Sequence, residues 1–460
     1  MNVERSQHEP RISVGFVSLG CPKNLVDSQL MAGVLLSENA VFAPTPEEAD
    51  VVIVNTCAFI DKAREESVKA IHSVCRLKTR GVCKAVVVTG CLPQRYRESL
   101  RSTLPDVDAF VGLDQLEQIG RVVRRVAAGH GDILAVSARA SRLFEPKHPA
   151  LVFSRGAYAY LKVAEGCDHR CSFCAIPGIR GRHRSRPIHR IVREAEKLLE
   201  SGIRELDIIS QDVTSYGRDL GAESRLPALL RALGGIGGKF WIRLLYSYPS
   251  RVTPELLETM SAIPQVCRYL DIPIQHSHPE ILRAMGRADT VRSVEGMAAR
   301  IRSALPGVTL RTTCLLGFPG ETREHFRHLV EFVREAQFDH LGVFVFSPEE
   351  GTRAFDRPGR PSPGVAEQRR DRLMRTQRAI VDRKAAARIG AEEEVLLERR
   401  AGRGNTIGSG RSRREAPEID GTVIVSGLPA EAARGTFLRV RYTAQRGYDM
   451  KATAALPSGR

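Results

Sequence analysis

No stretch of this 460-residue chain approaches the roughly 18 consecutive apolar residues that cross a bilayer, and the opening Met1–Arg11 is polar, without the apolar core of a secretory signal. A membrane-spanning helix is thereby excluded, no membrane partner is expected, and the location expected is cytoplasmic. Cysteine is too sparse for a disulfide scaffold: there are ten, and they cluster. In a reducing compartment that usage points to metal binding or catalysis. Acidic residues are outnumbered, 53 against 69 basic, for a net charge of +16. That balance implies an anionic partner such as RNA or a ribosome-associated surface. The length exceeds what one compact core organises and suggests about three domains.

Where the positive charge sits matters more than its sum. From Arg353 to Arg388 eleven basic residues accompany four acidic ones along a segment that reads as a long helix, and Arg170 to Arg190 holds six arginines and no acid. Each stretch reads either as an electrostatic footprint or as a solvated helix face and a salt-bridged loop.

Residues 12–130 alternate short apolar runs with helical patterns. The runs are Ile12–Val17, Val51–Asn55, Ala85–Thr89 and Ala109–Val111, and the helices Leu25–Leu36, Ala58–Val74 and Leu116–Val126. Strands separated by helices predict an open parallel α/β sheet. Residues 131–155, with Gly131, Pro146, His148 and Pro149, read as a linker. The alternation then resumes, with candidate strands Ala157–Val163, Glu205–Ile209, Phe240–Tyr246, Tyr269–Ile272, Val308–Leu315 and Leu341–Phe346. Six βα units predict a partial TIM-like (βα)6 barrel, whose active site would collect at the carboxyl ends of its strands. The segment Glu392–Leu456 alternates as a small antiparallel β-barrel does. Its charge is modest and its aromatics are only Phe437, Tyr442 and Tyr448, so it lacks the stacking stripe of a nucleic-acid grip. The chain is therefore read as α/β, with domains at 10–130, 156–388 and 390–457.

The chemistry concentrates in Cys167-Asp168-His169-Arg170-Cys171-Ser172-Phe173-Cys174, directly after the first barrel strand. A C-x3-C-x2-C loop can hold three irons of a 4Fe–4S cluster and leave the fourth without a protein ligand, open to a small molecule. Zinc with His169 as fourth ligand is disfavoured, because that ring sits inside a three-residue loop and no second C-x2-C pair exists.

Glu165-Gly166-Cys167-Asp168-x-x-Cys171-x-Phe173-Cys174-x-Ile176-Pro177, followed by Arg180-Gly181 and Ser185-Arg186, resembles the radical S-adenosylmethionine (SAM) superfamily, and within it the methylthiotransferases. The resemblance implies that the open iron chelates the amino and carboxylate groups of SAM. An electron passed through the cluster then cleaves SAM to methionine and a 5′-deoxyadenosyl radical, while the protein positions the cofactor and excludes water. It further implies an auxiliary 4Fe–4S cluster in the amino-terminal domain. The matching motifs are Gly20-Cys21-Pro22-Lys23-Asn24, Asn55-Thr56-Cys57-Ala58-Phe59-Ile60 and Thr89-Gly90-Cys91-Leu92. Each cysteine falls at the end of a predicted strand, so the three can converge on one edge of a parallel sheet, where ligands bind. Taken singly, each reads as a buried core cysteine. Cys75, Cys83, Cys267 and Cys314 match no cluster motif.

Gln211, Arg243, Gln275, Arg311 and Glu321 lie at or beyond predicted strand ends, where the barrel rule turns them toward SAM or substrate. Gly317–Glu321 reads equally as a tight strand-to-helix turn. His276 and His278 invite a metal reading that i,i+2 spacing in a loop supports only weakly. No catalytic side chain beyond these is assigned.

Two branches of the family share this layout. One modifies an adenosine beside the tRNA anticodon, the other an aspartate of small-subunit ribosomal protein uS12. Leu25-Val26-Asp27-Ser28, Ser210-Gln211-Asp212, Asp271-Ile272-Pro273-Ile274-Gln275-His276 and Ala416-Pro417-Glu418-Ile419-Asp420-Gly421 resemble the ribosomal-protein branch. The resemblance spans about residues 12–455, and its last domain resembles a TRAM domain. Ala58 stands where the family has glycine and Gln29 where it has glutamate, and neither is a cluster ligand. The implied mechanism has a polar half, in which one SAM methylates a sulfur attached to the auxiliary cluster, and a radical half. There a second SAM is cleaved, the radical takes hydrogen from the aspartate β-carbon, and the carbon radical captures the methylthio group. The implied partners are uS12 or the small ribosomal subunit, a low-potential electron donor such as flavodoxin or ferredoxin, and a sulfur donor of unassigned identity. The tRNA branch is the alternative, favoured by the net charge. A non-catalytic zinc or iron–sulfur RNA-binding protein is a third reading.

Overall fold

The computed structural model describes residues 11–148, 151–221, 225–402 and 405–455. Residues 149–150 of the predicted linker, and residues 10 and 456–457 at the predicted domain edges, lie outside the described residues. The chain forms two compact units. The first comprises Met1–Phe153, Glu165–Asp168 and Cys174–Arg184, and the second Ser154–Ala164, His169–Phe173 and Ser185–Arg460. Among the described residues no helix is long and apolar enough to cross a membrane.

The first unit is built on strands β1 (Ser13–Ser18), β2 (Val41–Phe42), β3 (Val51–Thr56), β4 (Ala85–Gly90), β5 (Ala109–Val111) and β6 (Ile133–Ala135). They form one parallel sheet in the order β2-β1-β3-β4-β5-β6. β3 and β4 are buried along their whole length. Their unbroken valine and isoleucine runs suit central parallel strands covered on both faces. Alternation sends Val52, Val54, Val86 and Val88 into one core with Ile71 and Val74 of the helix Asp61–Cys75. Val51, Ile53, Ala85 and Val87 enter the other, with Leu30 and Val34 of Pro22–Ser37 and Val122 of Ile119–Ala127. Two strands went unpredicted. β2 has two residues, both exposed, too short to carry a periodic signal. β6 has three half-buried residues inside the predicted linker, where it pairs with β5.

In the second unit all six predicted barrel strands form: β7 (Tyr158–Lys162), β10 (Glu205–Ile209), β11 (Trp241–Leu244), β12 (Val266–Asp271), β13 (Thr309–Leu316) and β14 (His340–Val345). They are parallel throughout, in the order β14-β13-β12-β11-β10-β7. Two two-residue strands, β8 (Ala164–Glu165) and β9 (Arg184–Ser185), bracket the cysteine loop. The basic segment becomes the helix Pro363–Ala386, started by Pro363 and capped by the Ser362 hydroxyl. Much of its charge is spent internally: Arg369 pairs with Glu321, Arg378 with Asp382, Lys384 with Asp339, and the following Arg388 with Glu393 and Glu415.

The last strands, β15 (Glu392–Arg400), β16 (Gly408–Ser412), β17 (Val423–Ser426), β18 (Phe437–Arg446) and β19 (Asp449–Ala454), close into a barrel in the order β15-β16-β17-β19-β18. The expectation of a wholly antiparallel barrel is corrected at one seam, since β17 and β19 run parallel. The long crossover from β17 through β18 makes that pairing possible.

The segment between β16 and β17 fastens this barrel to the six-stranded sheet. Asp420 accepts from Tyr269 at 2.7 Å and pairs with Arg311 at 2.9 Å and His340 at 3.3 Å. Glu418 accepts from Tyr158 at 2.8 Å and Tyr160 at 3.0 Å. Arg411, fully buried, joins Glu205 at 2.7 Å to Glu398 at 2.6 Å. Burial and the neighbouring Glu205 push the Asp207 carboxyl well above the ordinary range. Burial opposes ionisation of Glu205 too, but Arg243 and Arg411 hold it low. Burial alone would also raise Asp420, yet His340, Arg311 and the Tyr269 hydroxyl keep it below its ordinary value. Buried ions kept in such pairs become costly once one partner is removed. Asp420→Ala is therefore expected to cost about 3–5 kcal/mol, read as a lowered urea midpoint, with Asp420→Asn losing less because it still accepts from Tyr269.

Candidate functional site

In the first unit the sheet order makes β1, β3 and β4 neighbours, and Cys21, Cys57 and Cys91 follow their carboxyl ends by one to three residues. The turns that carry them are locked by the polar residues of the same motifs. Asn24 donates to Leu19 O at 3.1 Å and Thr56 O at 2.8 Å, and Asn55 donates to Asn24 O at 2.7 Å. The Thr56 hydroxyl donates to Thr89 O at 2.6 Å, and Ser67 closes both backbone groups of Cys57. Glycine is required twice. Gly20 has φ +89°, and a Cβ there would lie 2.7 Å from Cys57 Cβ. Gly90 has φ +95°, and a Cβ would collide with Asn55 Oδ1 and Thr56 O.

Cys21 caps the helix Pro22–Ser37 and Cys91 begins the helix Cys91–Tyr96. The first, longer helix favours a negative ligand at its amino end. Burial pushes the Cys91 thiol up to about 12, opposed chiefly by the Arg180 guanidinium, and burial likewise raises Cys57. A thiol that ionises so reluctantly in isolation gains its charge from a metal that coordinates the thiolate. The donor set thus fits a thiolate-ligated metal group. Of the two departures, Ala58 is fully buried and its carbonyl accepts from Arg95 at 2.8 Å, while Gln29 donates to Leu151 O at 2.9 Å.

In the sequence Arg180 stands only as part of the family motif, with no role assigned. Its side chain is buried in the first unit, with Nη1 donating to Glu165 at 2.9 Å and Nη2 to Asn24 at 2.6 Å and Asp27 at 2.9 Å; Nη2 also faces Cys91 Sγ at 3.7 Å. In the same unit Cys167 N–H donates to Gly181 O, and Asp168 accepts from His183 N–H.

In the second unit, His169 stacks on Tyr248 with ring centroids 3.6 Å apart, and its Nε2 meets Asp212 at 2.7 Å. Asp212 also receives Arg251 and the hydroxyls of Thr214 and Ser215. Burial opposes the Asp212 charge, but His169 and those hydroxyls hold it below its ordinary value. His169 is thus committed to a carboxylate, which leaves Cys171 with a different neighbour. Arg287 Nη1 lies 3.6 Å from its sulfur and the guanidinium covers the Tyr248 ring at 4.3 Å. Arg287 follows a helix end and belongs to no motif, so nothing in the sequence pointed to it.

The remaining candidates divide. Gln211 follows β10, and Gln275, at φ +69°, bridges to Cys314 beyond β12. Glu321 follows β13 and accepts from Gly317 N–H at 2.8 Å and Arg369 at 2.6 Å, which stabilises the strand-to-helix turn before the Thr322 cap. Burial nonetheless raises its carboxyl above the ordinary value. Arg243 and Arg311, by contrast, lie within β11 and β13 and are taken up elsewhere. Arg243 pairs with Glu205 at 2.6 Å and donates to Arg413 O, while Arg311 pairs with Asp420.

The His276–His278 pair lies in a larger histidine group. Ligand atoms of His278, Glu280 and His325 lie within 4.8 Å of one another. Backbone N–H groups of Glu280 and Thr322 donate to Nδ1 of His278 and His325 respectively. An accepting Nδ1 leaves the proton on Nε2, and His325 Nε2 contacts Glu280 at 3.2 Å. Both rings accept at the starts of helices, and His325 Nδ1 also lies 3.2 Å from Gly320 O. His276 is fully buried. Burial chiefly, with His278, His325, His328 and Arg369 nearby, pushes its pKa down to about 3. An unfolded histidine takes a proton near pH 6.5, so stability from a neutral His276 is complete above that pH. It is lost as pH falls toward 3, by up to about 1.4 kcal/mol per unit. The stability advantage of the parent over His276→Gln should therefore shrink between pH 7 and pH 5 in urea titrations.

Residues 13–112 match a family described as uncharacterized protein family UPF0004, residues 161–333 the radical SAM superfamily, and residues 389–455 the TRAM domain. The chain is 43% identical over 439 residues to the ribosomal protein uS12 methylthiotransferase RimO of Trichlorobacter lovleyi, covering 95% of this chain and 97% of that one. The protein of the same name from Pelotomaculum thermopropionicum is 44% identical, with 97% and 100% covered. Among solved structures, the radical SAM methyltransferase TsrM from Kitasatospora setae, with cobalamin and a [4Fe-4S] cluster bound, aligns with TM-score 0.56 at 16% identity over 75% of this chain and 74% of its own. The cobalamin-dependent radical enzyme OxsB aligns at 0.52 and 14%, covering 81% and 56%. At those identities the likeness is one of fold alone.

Proposed function

Since this chain belongs to the ribosomal protein uS12 methylthiotransferase family, we infer that it is a radical SAM enzyme that converts an aspartate β-carbon C–H of uS12 to C–SCH3. The observation that carries the reading is the pair of three-cysteine sets: Cys21, Cys57 and Cys91 at neighbouring strand ends, and Cys167, Cys171 and Cys174 in one loop. Two 4Fe–4S clusters held there, with SAM at the open iron of the second, supply the reductive cleavage and the sulfur chemistry.

The chain's own residues do the rest. Cys21, Cys57 and Cys91 are the auxiliary ligands, and the Asn24, Asn55 and Thr56 hydrogen bonds fix the turns that present them. Cys167, Cys171 and Cys174 hold the SAM-cleaving cluster. Arg287 donates toward the Cys171 sulfur, and Asp212 keeps His169 from acting as a fourth ligand. Gln211, Gln275 and Glu321, beyond the carboxyl ends of β10, β12 and β13, face SAM or substrate. Arg243 and Arg311 lie within their strands and act indirectly, by fastening the sheet to the segment between β16 and β17. The reaction takes place in the cytoplasm on uS12 or the small ribosomal subunit, with a flavodoxin- or ferredoxin-like donor supplying electrons.

Cys171→Ala is expected to abolish formation of 5′-deoxyadenosine from SAM, whereas Cys57→Ala spares that cleavage and stops sulfur insertion. Chromatography of the nucleoside and mass spectrometry of uS12 read the two halves separately. Normal methylthiolation by either variant would sink the two-cluster assignment. In a deletion strain, loss of a methylthiolated adenosine with an unchanged uS12 aspartate would move the chain to the tRNA-modifying branch.

A further inference from the structure

The Arg180 guanidinium touches more than its burial demands. It lies within the first unit, between Glu165 on one side and Asn24, Asp27 and Cys91 on the other, with its side chain 2% exposed. Asn24 and Asp27 come from the helix that follows β1, Cys91 directly follows β4, and Glu165 stands two residues before Cys167. Asp27 alone would neutralise the cation, and a well-formed ion pair needs only one carboxylate. Here a second carboxylate and a sulfur share the fork. Arginine keeps its charge in any protein environment and presents several donors in a fixed plane. The site therefore holds a permanent positive charge whose Nη2, bonded to Asn24 and Asp27, lies 3.7 Å from one sulfur of the three-cysteine set.

We propose that Arg180 is a positioning residue for the auxiliary cluster, holding its guanidinium charge against the Cys91 sulfur and raising the cluster's reduction potential while tying that site to Glu165 beside Cys167. The proposal rests on the reading of Cys21, Cys57 and Cys91 as cluster ligands. Hydrogen bonds to sulfur and local charge are the protein's means of setting the potential of a thiolate-ligated cluster. Reduction adds one negative charge to a buried group, so a guanidinium within hydrogen-bond reach favours the reduced form. Removing it leaves Asp27 and Glu165 facing that charge uncompensated. Removing Glu165 instead leaves the guanidinium less neutralised, and the potential should move the other way. A residue that served packing alone would not produce opposite signs.

The test uses the full chain carrying Cys167→Ala, Cys171→Ala and Cys174→Ala, reconstituted with iron and sulfide and titrated redox-potentiometrically with detection by electron paramagnetic resonance. Added Arg180→Gln is expected to keep the cluster and lower its one-electron reduction equilibrium at least tenfold, a shift of about 59 mV to more negative potential. Arg180→Lys, which keeps the charge without the fork, should recover part of the shift, and Glu165→Gln should move the potential upward. An unmoved potential in Arg180→Gln with its cluster retained overturns the proposal. Should Arg180→Gln fail to hold a cluster, Glu165→Gln decides: an upward shift supports the proposal and an unmoved potential overturns it. A parent triple variant that binds no iron overturns the auxiliary-ligand reading itself, and the proposal with it.

Discussion

Parallel strands deliver all their carboxyl ends to one edge, and the chemistry of this chain depends on that constraint. A strand that returned antiparallel would send its following loop to the opposite edge. In the first unit the constraint acts on residues some 35 apart in sequence: β1, β3 and β4 are neighbours, so their following turns are neighbours too. The cysteines need no direct contact with one another to be brought together. Their turns are spliced by Asn24, Asn55 and Thr56, each bonding backbone of an adjacent turn. The motif residues around each cysteine are therefore a scaffold for the edge, and the thiols are what the scaffold presents.

The same chain buries an unusual amount of charge, and the burial changes what the net +16 means. Arg180, Arg243 and Arg411 are all buried, each with carboxylate partners, and burial and Glu205 push the Asp207 carboxyl well above its ordinary value. Arg369, Lys384 and Arg388 of the basic helix region are spent on carboxylates of the same unit. Such cations contribute little to a long-range field that would attract a polyanion. The charge that favours a nucleic-acid partner on composition is thus partly structural, and the case for RNA weakens by that amount.

Local periodicity made the six barrel strands and β1, β3, β4 and β5 of the first sheet legible, because each carries its signal within a few residues. Cysteine spacing made one site legible for the same reason, and motif resemblance the other. What escaped was non-local. Arg180 meets Asn24 across 156 positions and Arg287 meets Cys171 across 116, and neither pairing leaves any mark on neighbouring sequence. Arg243 and Arg311 were readable as strand residues but not as residues already engaged. Their partners arrive from a segment more than 100 positions downstream. The histidine group shows a further non-local feature: His278 and His325 accept at helix starts, and His325 reaches Glu280 across 45 positions, contacts that sequence does not display.

The segment Ala416–Gly421 sharpens where substrate choice must reside. Its residues were among those that pointed to the ribosomal-protein branch, yet Glu418 and Asp420 are occupied by Tyr158, Tyr160, Tyr269, Arg311 and His340. Three of those partners stand at the first or third residue of β7 and β14, so the segment engages the amino-terminal end of the sheet. Reaction at a parallel barrel takes place at the other end. Under the proposed function the segment marks kinship and lies away from the reacting end. That function would place discrimination between a protein and an RNA substrate beyond the carboxyl ends of β10, β12 and β13, where Gln211, Gln275 and Glu321 stand. Of these, Glu321 is already engaged in holding its own turn through Gly317 and Arg369. Gln211 and Gln275 carry neutral amides that can donate and accept, which suits a polar polypeptide segment at least as well as a phosphodiester.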